Sequence, residues 1–237
     1  MKTKLAPLIP CLFALLVITG CASVKVTDLQ QLVIGPIPRP GNVLVYDFAA
    51  TAAEVPRESA LAGHAAALSA PQTPKQIATG RYVGAQIAGD LVGRIHLMGM
   101  PAERAFAGTP VQLNDIVIRG YLISINEGST LKRVTIGFGY GASEVKAAME
   151  GYQMTRQGLH KIESETLDSN GAKMPGSEVG VAALLVTGNP VGLIVSSGIK
   201  VYGETSGSFK IQGRADKIAK EIADQLQIRF QEQGWIK

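Results

Sequence analysis

The chain has 237 residues, a formal charge of +4, 27 glycines, 12 prolines, two cysteines and one tryptophan. Hydrophobic residues at 46% and charged residues at 18% exclude a disordered or collagen-like chain and supply core for one generous domain. Two cysteines cannot build a disulfide scaffold, and three histidines leave little for a multi-ligand metal site.

Lys2 and Lys4 precede an apolar run from Leu5 to Ile18, the layout of a signal peptide over residues 1–20. The run is shorter than the ~20 residues of a bilayer span, and Pro7 and Pro10 interrupt it. Its end, Val17-Ile18-Thr19-Gly20-Cys21-Ala22-Ser23, resembles a bacterial lipobox, which makes Cys21 the expected lipidation site. Cys11 then leaves with the signal, so neither a free thiol nor a disulfide is expected in the mature protein. Loss of Lys2 and Lys4 lowers the formal charge from +4 to +2, and no basic stripe with interleaved aromatics remains for nucleic acid. Acyl chains on Cys21 would hold the protein to a membrane. Ala22 and Ser23, with no aspartate directly after the cysteine, point to the outer membrane, facing the periplasm.

Residues 21–41 read as the lipidated cysteine and a proline-rich tether, with Pro36, Pro38 and Pro40 favouring an extended spacer. A single domain is expected over 42–237. Val43 to Phe48 is an apolar run of strand formers, expected as a buried first strand. The alanine-rich 49–72 reads as an excursion. Thr73-Pro74-Lys75-Gln76 is a capping-box pattern that opens a helix. Ile77, Val83, Ile87, Leu91, Ile95 and Met98 fall near one face of that helix, and Gly99 with Pro101 stops it.

A β-rich middle follows. Ile116 to Asn126 and Thr130 to Phe138 are expected strands joined by Asn126-Glu127-Gly128-Ser129. Val145, Ala147 and Met149 alternate with Glu144, Lys146 and Glu150, which predicts a half-exposed strand, and Leu159 to Leu167 predicts another. Arg119, Lys132 and Arg133 read as outward strand charges. Residues 179–199 carry no charge over 21 positions and are broken by Gly188-Asn189-Pro190. Two short packed helices are expected there, with four-residue glycine spacings permitting close approach. An amphipathic helix is expected from Arg214 to Gln233, with Ile218, Ile222, Leu226 and Phe230 as its stripe and Gly234 as its stop.

These elements predict an α+β fold. A single mixed, largely antiparallel sheet carries helices on one face, followed by a C-terminal apolar helical hairpin and an amphipathic helix.

Several constellations invite a chemical reading. Gly137-Phe138-Gly139-Tyr140-Gly141-Ala142 fits a dinucleotide-binding fingerprint, but the segment after it alternates like a strand and offers no helix N-terminus to an anion. A glycine-rich bend is the expected role. His64, His96 and His160 have no metal-ligand spacing, and no nucleophile elbow occurs. Asp47 closes an apolar strand as a turn cap or as a buried acid paired with Glu54 or Asp90. No cofactor, metal, catalytic residue or nucleic-acid partner is expected.

VLVYDFAATAAEVP (43–56), IRGYLISINEGSTLKRVTIGFGYGASEVKA (118–147) and DQLQIRFQEQGWI (224–236) resemble a bacterial lipoprotein family known as domain of unknown function 4410. The likeness spans nearly the whole mature chain and transfers no catalytic or ligand-binding residue. A more distant likeness is to periplasmic lipoproteins with a VLVYDF-like first strand and a long helix, among them the curli-secretion pore lipoprotein and transporter auxiliaries. The expected function is a lipid-anchored, non-enzymatic periplasmic binding or assembly module, with an envelope protein partner or a second copy of itself. One alternative is an oligomeric or membrane-inserting secretion or transport accessory using 179–199. A second is an envelope enzyme or nucleotide binder using 137–142.

Overall fold

The computed structural model describes residues 24–33, 35–57, 59, 62, 72–126, 144–169, 194–196 and 206–237. Among them the chain runs through β1 (Lys25–Gln31), β2 (Val43–Tyr46), a 3-10 turn (Ala52–Glu54), α1 (Pro74–Leu97) and β3 (Ala102–Ala105). It continues through β4 (Ile116–Asn126), β5 (Glu144–Thr155), β6 (Gly158–Asp168), β7 (Ile194–Ser196) and α2 (Ser206–Glu232). The strands make one mixed sheet in the order β1-β6-β5-β4-β2-β3, with β7 beside β4. The ladders β1–β6, β6–β5 and β5–β4 are antiparallel, whereas β2 runs parallel to β3 and β4. Parallel neighbours need a crossover, and α1 supplies it between β2 and β3. No helix among the described residues is long and apolar enough to cross a membrane.

Local chemistry sets α1. The Thr73 side chain accepts from the Gln76 backbone while the Gln76 side chain receives the Thr73 N–H, so two orphan donors of the first turn are satisfied reciprocally. Val83, Ile87, Leu91 and Ile95 are fully buried at spacings of four. The helix ends in a Schellman turn, with Gly99 at φ +81° and the Met100 N–H reaching back to the Ile95 carbonyl. That turn folds Met100 onto the core beside Ile95.

Both helices pack on one face of the sheet. Val43 and Val45 of β2, Ile116, Ile118, Leu122 and Ile125 of β4, Val145, Ala147 and Met149 of β5, and Leu167 of β6 form one core with them. From α2 come Ile218, Ile222, Leu226 and Phe230. Phe48 sits where α1 and β4 come closest, and two glycines make the room. A Cβ at Gly84 would lie 2.1 Å from the Phe48 carbonyl oxygen, and one at Gly120 would lie 2.2 Å from its ring.

Three expectations change. Residues 25–31, read as tether, form an edge strand on β6, a pairing with a partner more than a hundred residues away that no local pattern announces. β5 is not half-exposed, since Ala148, Glu150 and Tyr152 on its second face are buried as well. Of the expected helical hairpin at 179–199, only Ile194–Ser196 is described, and it is a strand, as β-branched Ile194 and Val195 favour. The rest of that hairpin, the strand at 130–138 and the signal and lipobox through Ser23 lie outside the described residues. The single C-terminal helix covers the stretch expected from about Arg214 and begins at Ser206.

Two bulges decide which side chains meet. Between Leu122 and Ser124 one residue is added against β5, so Leu122 and Ile125 both face the helices. In β6 the added residue is Ile162, between Lys161, which pairs with Tyr152, and Glu163, which pairs with Gly151. Side chains alternate with a period of two, so this insertion sends Lys161 to one face and Glu163 to the other.

Candidate functional site

The carboxylates singled out by the sequence do not come together. Asp47 takes Arg104, with two bonds to Oδ1 at 2.5 and 3.1 Å. Glu54 accepts from the Ala50 and Thr51 amides and from Arg81. Asp90 lies near Asp216, and burial, then that neighbouring charge, raises its pKa. His96 Nε2 is 2.6 Å from the Ala102 carbonyl, and His160 is exposed on β6. His64, the glycine-rich 137–142 segment and Cys21 lie outside the described residues. Among the described residues no three His, Cys, Asp or Glu side chains gather as a metal site would require.

The sheet face opposite the helices carries a polar cluster that the sequence reading missed. Glu150, only 3% exposed, accepts at Oε2 from the Tyr121 hydroxyl (2.9 Å) and the Tyr152 hydroxyl (2.8 Å). Its Oε1 accepts from Lys161 Nζ at 2.5 Å. Arg119, directly opposite Glu150 across β4–β5, lies over the Tyr46 and Tyr152 rings at 5.3 and 5.6 Å. Burial alone would raise the Glu150 pKa, but hydrogen bonds from Lys161, Tyr152, Tyr121 and Ser59 outweigh it and pull the group below the ordinary range. Burial and the adjacent carboxylate push both tyrosines up, so they stay protonated donors. The stabilisation from Glu150 is therefore present at neutral pH and is lost as pH falls through its lowered pKa.

The cluster ties three strands together. Lys161→Met is expected to destabilise the protein by about 2–3 kcal/mol, because it strands a buried carboxylate and Lys161 is itself partly exposed. Adding Glu150→Gln should restore part of the loss in urea denaturation. No recovery in the double variant would show that the two groups are not coupled.

The helix face holds the open concavity. A cleft lies between the end of α2, the β4–β5–β6 floor and Gln31, Val33, Gly35 and Ile37. Its walls are mainly apolar, with Ile118, Met149, Ile162, Leu226, Phe230 and Trp235 among them. A second Schellman turn builds one wall. Gly234 adopts φ +69°, the Trp235 N–H donates to the Phe230 carbonyl at 2.8 Å, and the two rings meet at 5.5 Å. Gln233 fastens the opposite wall, its Oε1 accepting from the Ile37 amide and its Nε2 donating to the Gly35 carbonyl.

Two carboxyls lie buried beside this cleft. Glu163 lines it at 7% exposure, with Oε1 lacking a hydrogen-bond partner and Oε2 3.8 Å from Arg229 Nε, beyond hydrogen-bond reach. Glu165, 2% exposed, has neither oxygen partnered. Burial, then the charges of Glu163 and Glu221, pushes Glu165 up to about 8, so it is mostly neutral at pH 7. Pattern reading placed Leu159 to Leu167 in a strand without marking these acids, since alternating polar residues ordinarily face water. The available signal was Leu167, a core residue of the same parity as Glu163 and Glu165.

No curated protein matches the chain. Among solved structures, the PelC dodecamer from Paraburkholderia phytofirmans is similar at 13% identity and a TM-score of 0.36, over 70% of this chain and 99% of that one. A point variant of the same dodecamer gives 13% identity and a TM-score of 0.34, over 69% and 90%. The family described as Domain of unknown function (DUF4410) matches residues 43–188, more than half of the chain and the span from β2 through β6, and the chain belongs to that family.

Proposed function

We propose that this protein is a lipid-anchored envelope module that binds an apolar ligand or partner segment in the cleft beside α2 and catalyses no reaction. The observation that carries the reading is the cleft itself. An apolar concavity with a few placed polar groups is the usual form of a binding site. The Glu150 cluster satisfies itself instead: its carboxylate is taken up by two tyrosines and a lysine, which suits a structural tie better than a general base. The anchor is proposed at Cys21 and the location at the periplasmic side of the outer membrane.

Trp235 is the single tryptophan of the chain and lines the cleft, so its emission reports occupancy directly. N-phenyl-1-naphthylamine, a neutral apolar probe, is expected to accept energy from Trp235 saturably. Linear, non-saturating transfer would sink the binding reading. For the anchor, cells fed an alkyne analogue of palmitate should label the wild-type protein and leave Cys21→Ser unlabelled and released from membranes. An unlabelled wild type would remove the anchor.

A further inference from the structure

We infer that the cleft beside α2 takes a small amphipathic cation, its apolar body between Ile162, Phe230 and Trp235 and its ammonium group paired with the Glu163 carboxylate. The inference rests on the cleft being a binding site and adds the chemical class of its ligand. Glu163 is the group that selects. It is more than nine-tenths buried, it faces the cleft, and its Oε1 lacks a hydrogen-bond partner. A buried acceptor left unpaired is unfavourable, and a ligand that donates to it removes that penalty on binding.

Charge then separates a cation from a neutral donor or an anion. Two carboxylates bear on this end of the cleft, Glu163 itself and Glu232, while buried Glu165 near them is mostly neutral at pH 7. The cation set against them among the described residues is Arg229, 3.8 Å from Glu163 Oε2, and its Nη1 already donates to Glu232 at 2.9 Å. Burial raises the Glu163 pKa, and Glu232 adds to this against the pull of Arg229, as expected of a carboxylate short of positive charge. An ammonium group arriving at this carboxylate supplies both the missing donor and the missing charge. A carboxylate-headed ligand would meet Glu163 and Glu232 as like charges.

The floor of the cleft limits ligand size. Gly151 pairs with Glu163, and a Cβ built on it would lie 3.7 Å from the Glu163 Cβ and from Ile162 Cγ1, an ordinary contact. Gly151→Ala therefore fits the strand while its methyl group enters the ligand's space.

The test titrates hexylammonium, hexanol and hexanoate into the full-length protein in a non-aromatic detergent and follows Trp235 emission. Hexylammonium is expected to saturate at a concentration roughly tenfold below hexanol, the scale of one charge-assisted hydrogen bond, and hexanoate to bind more weakly than either. Glu163→Gln should abolish the preference for hexylammonium and leave hexanol within about threefold of wild type. Gly151→Ala should weaken both, with far-UV circular dichroism unchanged. Equal binding of hexylammonium and hexanol, a preference that survives Glu163→Gln, or tighter binding of hexanoate would overturn the inference. In those cases saturable uptake of N-phenyl-1-naphthylamine would leave the binding reading standing. If that probe also fails to saturate, both fall together.

Discussion

Gly84→Ala is expected to destabilise the protein by about 3 kcal/mol or more, although alanine is the better helix former. The added methyl would stand 2.1 Å from the backbone carbonyl oxygen of Phe48, 3.0 Å from its carbon and 3.2 Å from its nitrogen. No rotamer change relieves a contact with main chain. The Phe48 amide also donates to the Gly84 carbonyl at 3.3 Å, so helix and strand end are fastened where they touch. Relief requires α1 to lift from the sheet, which opens the layer formed by Val83, Ile87 and Leu91 against β2 and β4. Gly93→Ala in the same helix is the control. Its Cβ meets nothing within 4 Å, and it should stabilise by about 0.5–1 kcal/mol through helix propensity alone. Urea denaturation of the two variants checks both signs, and equal midpoints for wild type and Gly84→Ala would show that this approach is not tight in solution. Gly120→Ala should destabilise as well, because its Cβ would stand 2.2–2.4 Å from the Phe48 ring, which is packed in the core.

Glu165→Gln is expected to stabilise the protein at pH 8 and to flatten its stability between pH 5 and 8. The folded carboxyl titrates near 8, against a model-peptide value of 4.5. Between those limits the folded chain keeps a proton that the unfolded chain has released. Stability from this group is therefore full below about pH 4.5 and declines as pH rises, by up to roughly 1.4 kcal/mol per unit. Above about pH 8 both states are ionised and the decline ends. Glu163, Glu144 and Asp90 are also raised by burial and slope in the same direction, so the informative quantity is the difference between wild type and variant. Chemical denaturation at pH 5, 6.5 and 8 measures it. Parallel profiles would mean that Glu165 is ionised within the fold.

Elements whose signals are local were legible in the sequence. The Thr73–Gln76 box and Gly99 bound α1, and Ile116 to Asn126 is strand β4 at both ends. The stripe of Ile218, Ile222, Leu226 and Phe230 is buried as a set. What escaped depends on contacts between distant segments. β1 contains Lys25, Asp28 and Gln30 and acquires a reason to be extended only when β6 lies beside it. Lys161 has the same parity as Glu163 and Glu165, and only the extra Ile162 turns it toward Glu150. The cleft acids break the rule that a polar residue in an alternating strand faces water, which is why the candidate site was harder to read than the scaffold. Conflicts of that kind between local pattern and final burial concentrate where a fold does something besides stand up.

The start of β1 at Lys25 has a mechanical consequence for the proposed anchored protein. From Cys21 to Lys25 the chain has four residues, about 14 Å at full extension. The proline segment with Pro36, Pro38 and Pro40 is thus no leash. It runs between edge strand β1 and β2 on the far side of β4, fastened by Gln233 and by Gln153, which donates to the Pro38 carbonyl. A protein anchored as proposed would be held too close to the lipid to search the periplasm, and whatever it meets would have to come to the membrane surface. Gln31 at the cleft lies six residue steps along β1 from Lys25, about 20 Å. With the Lys25 end nearest the lipid, the mouth of the cleft would stand in water, and a ligand would arrive from solution rather than from the bilayer.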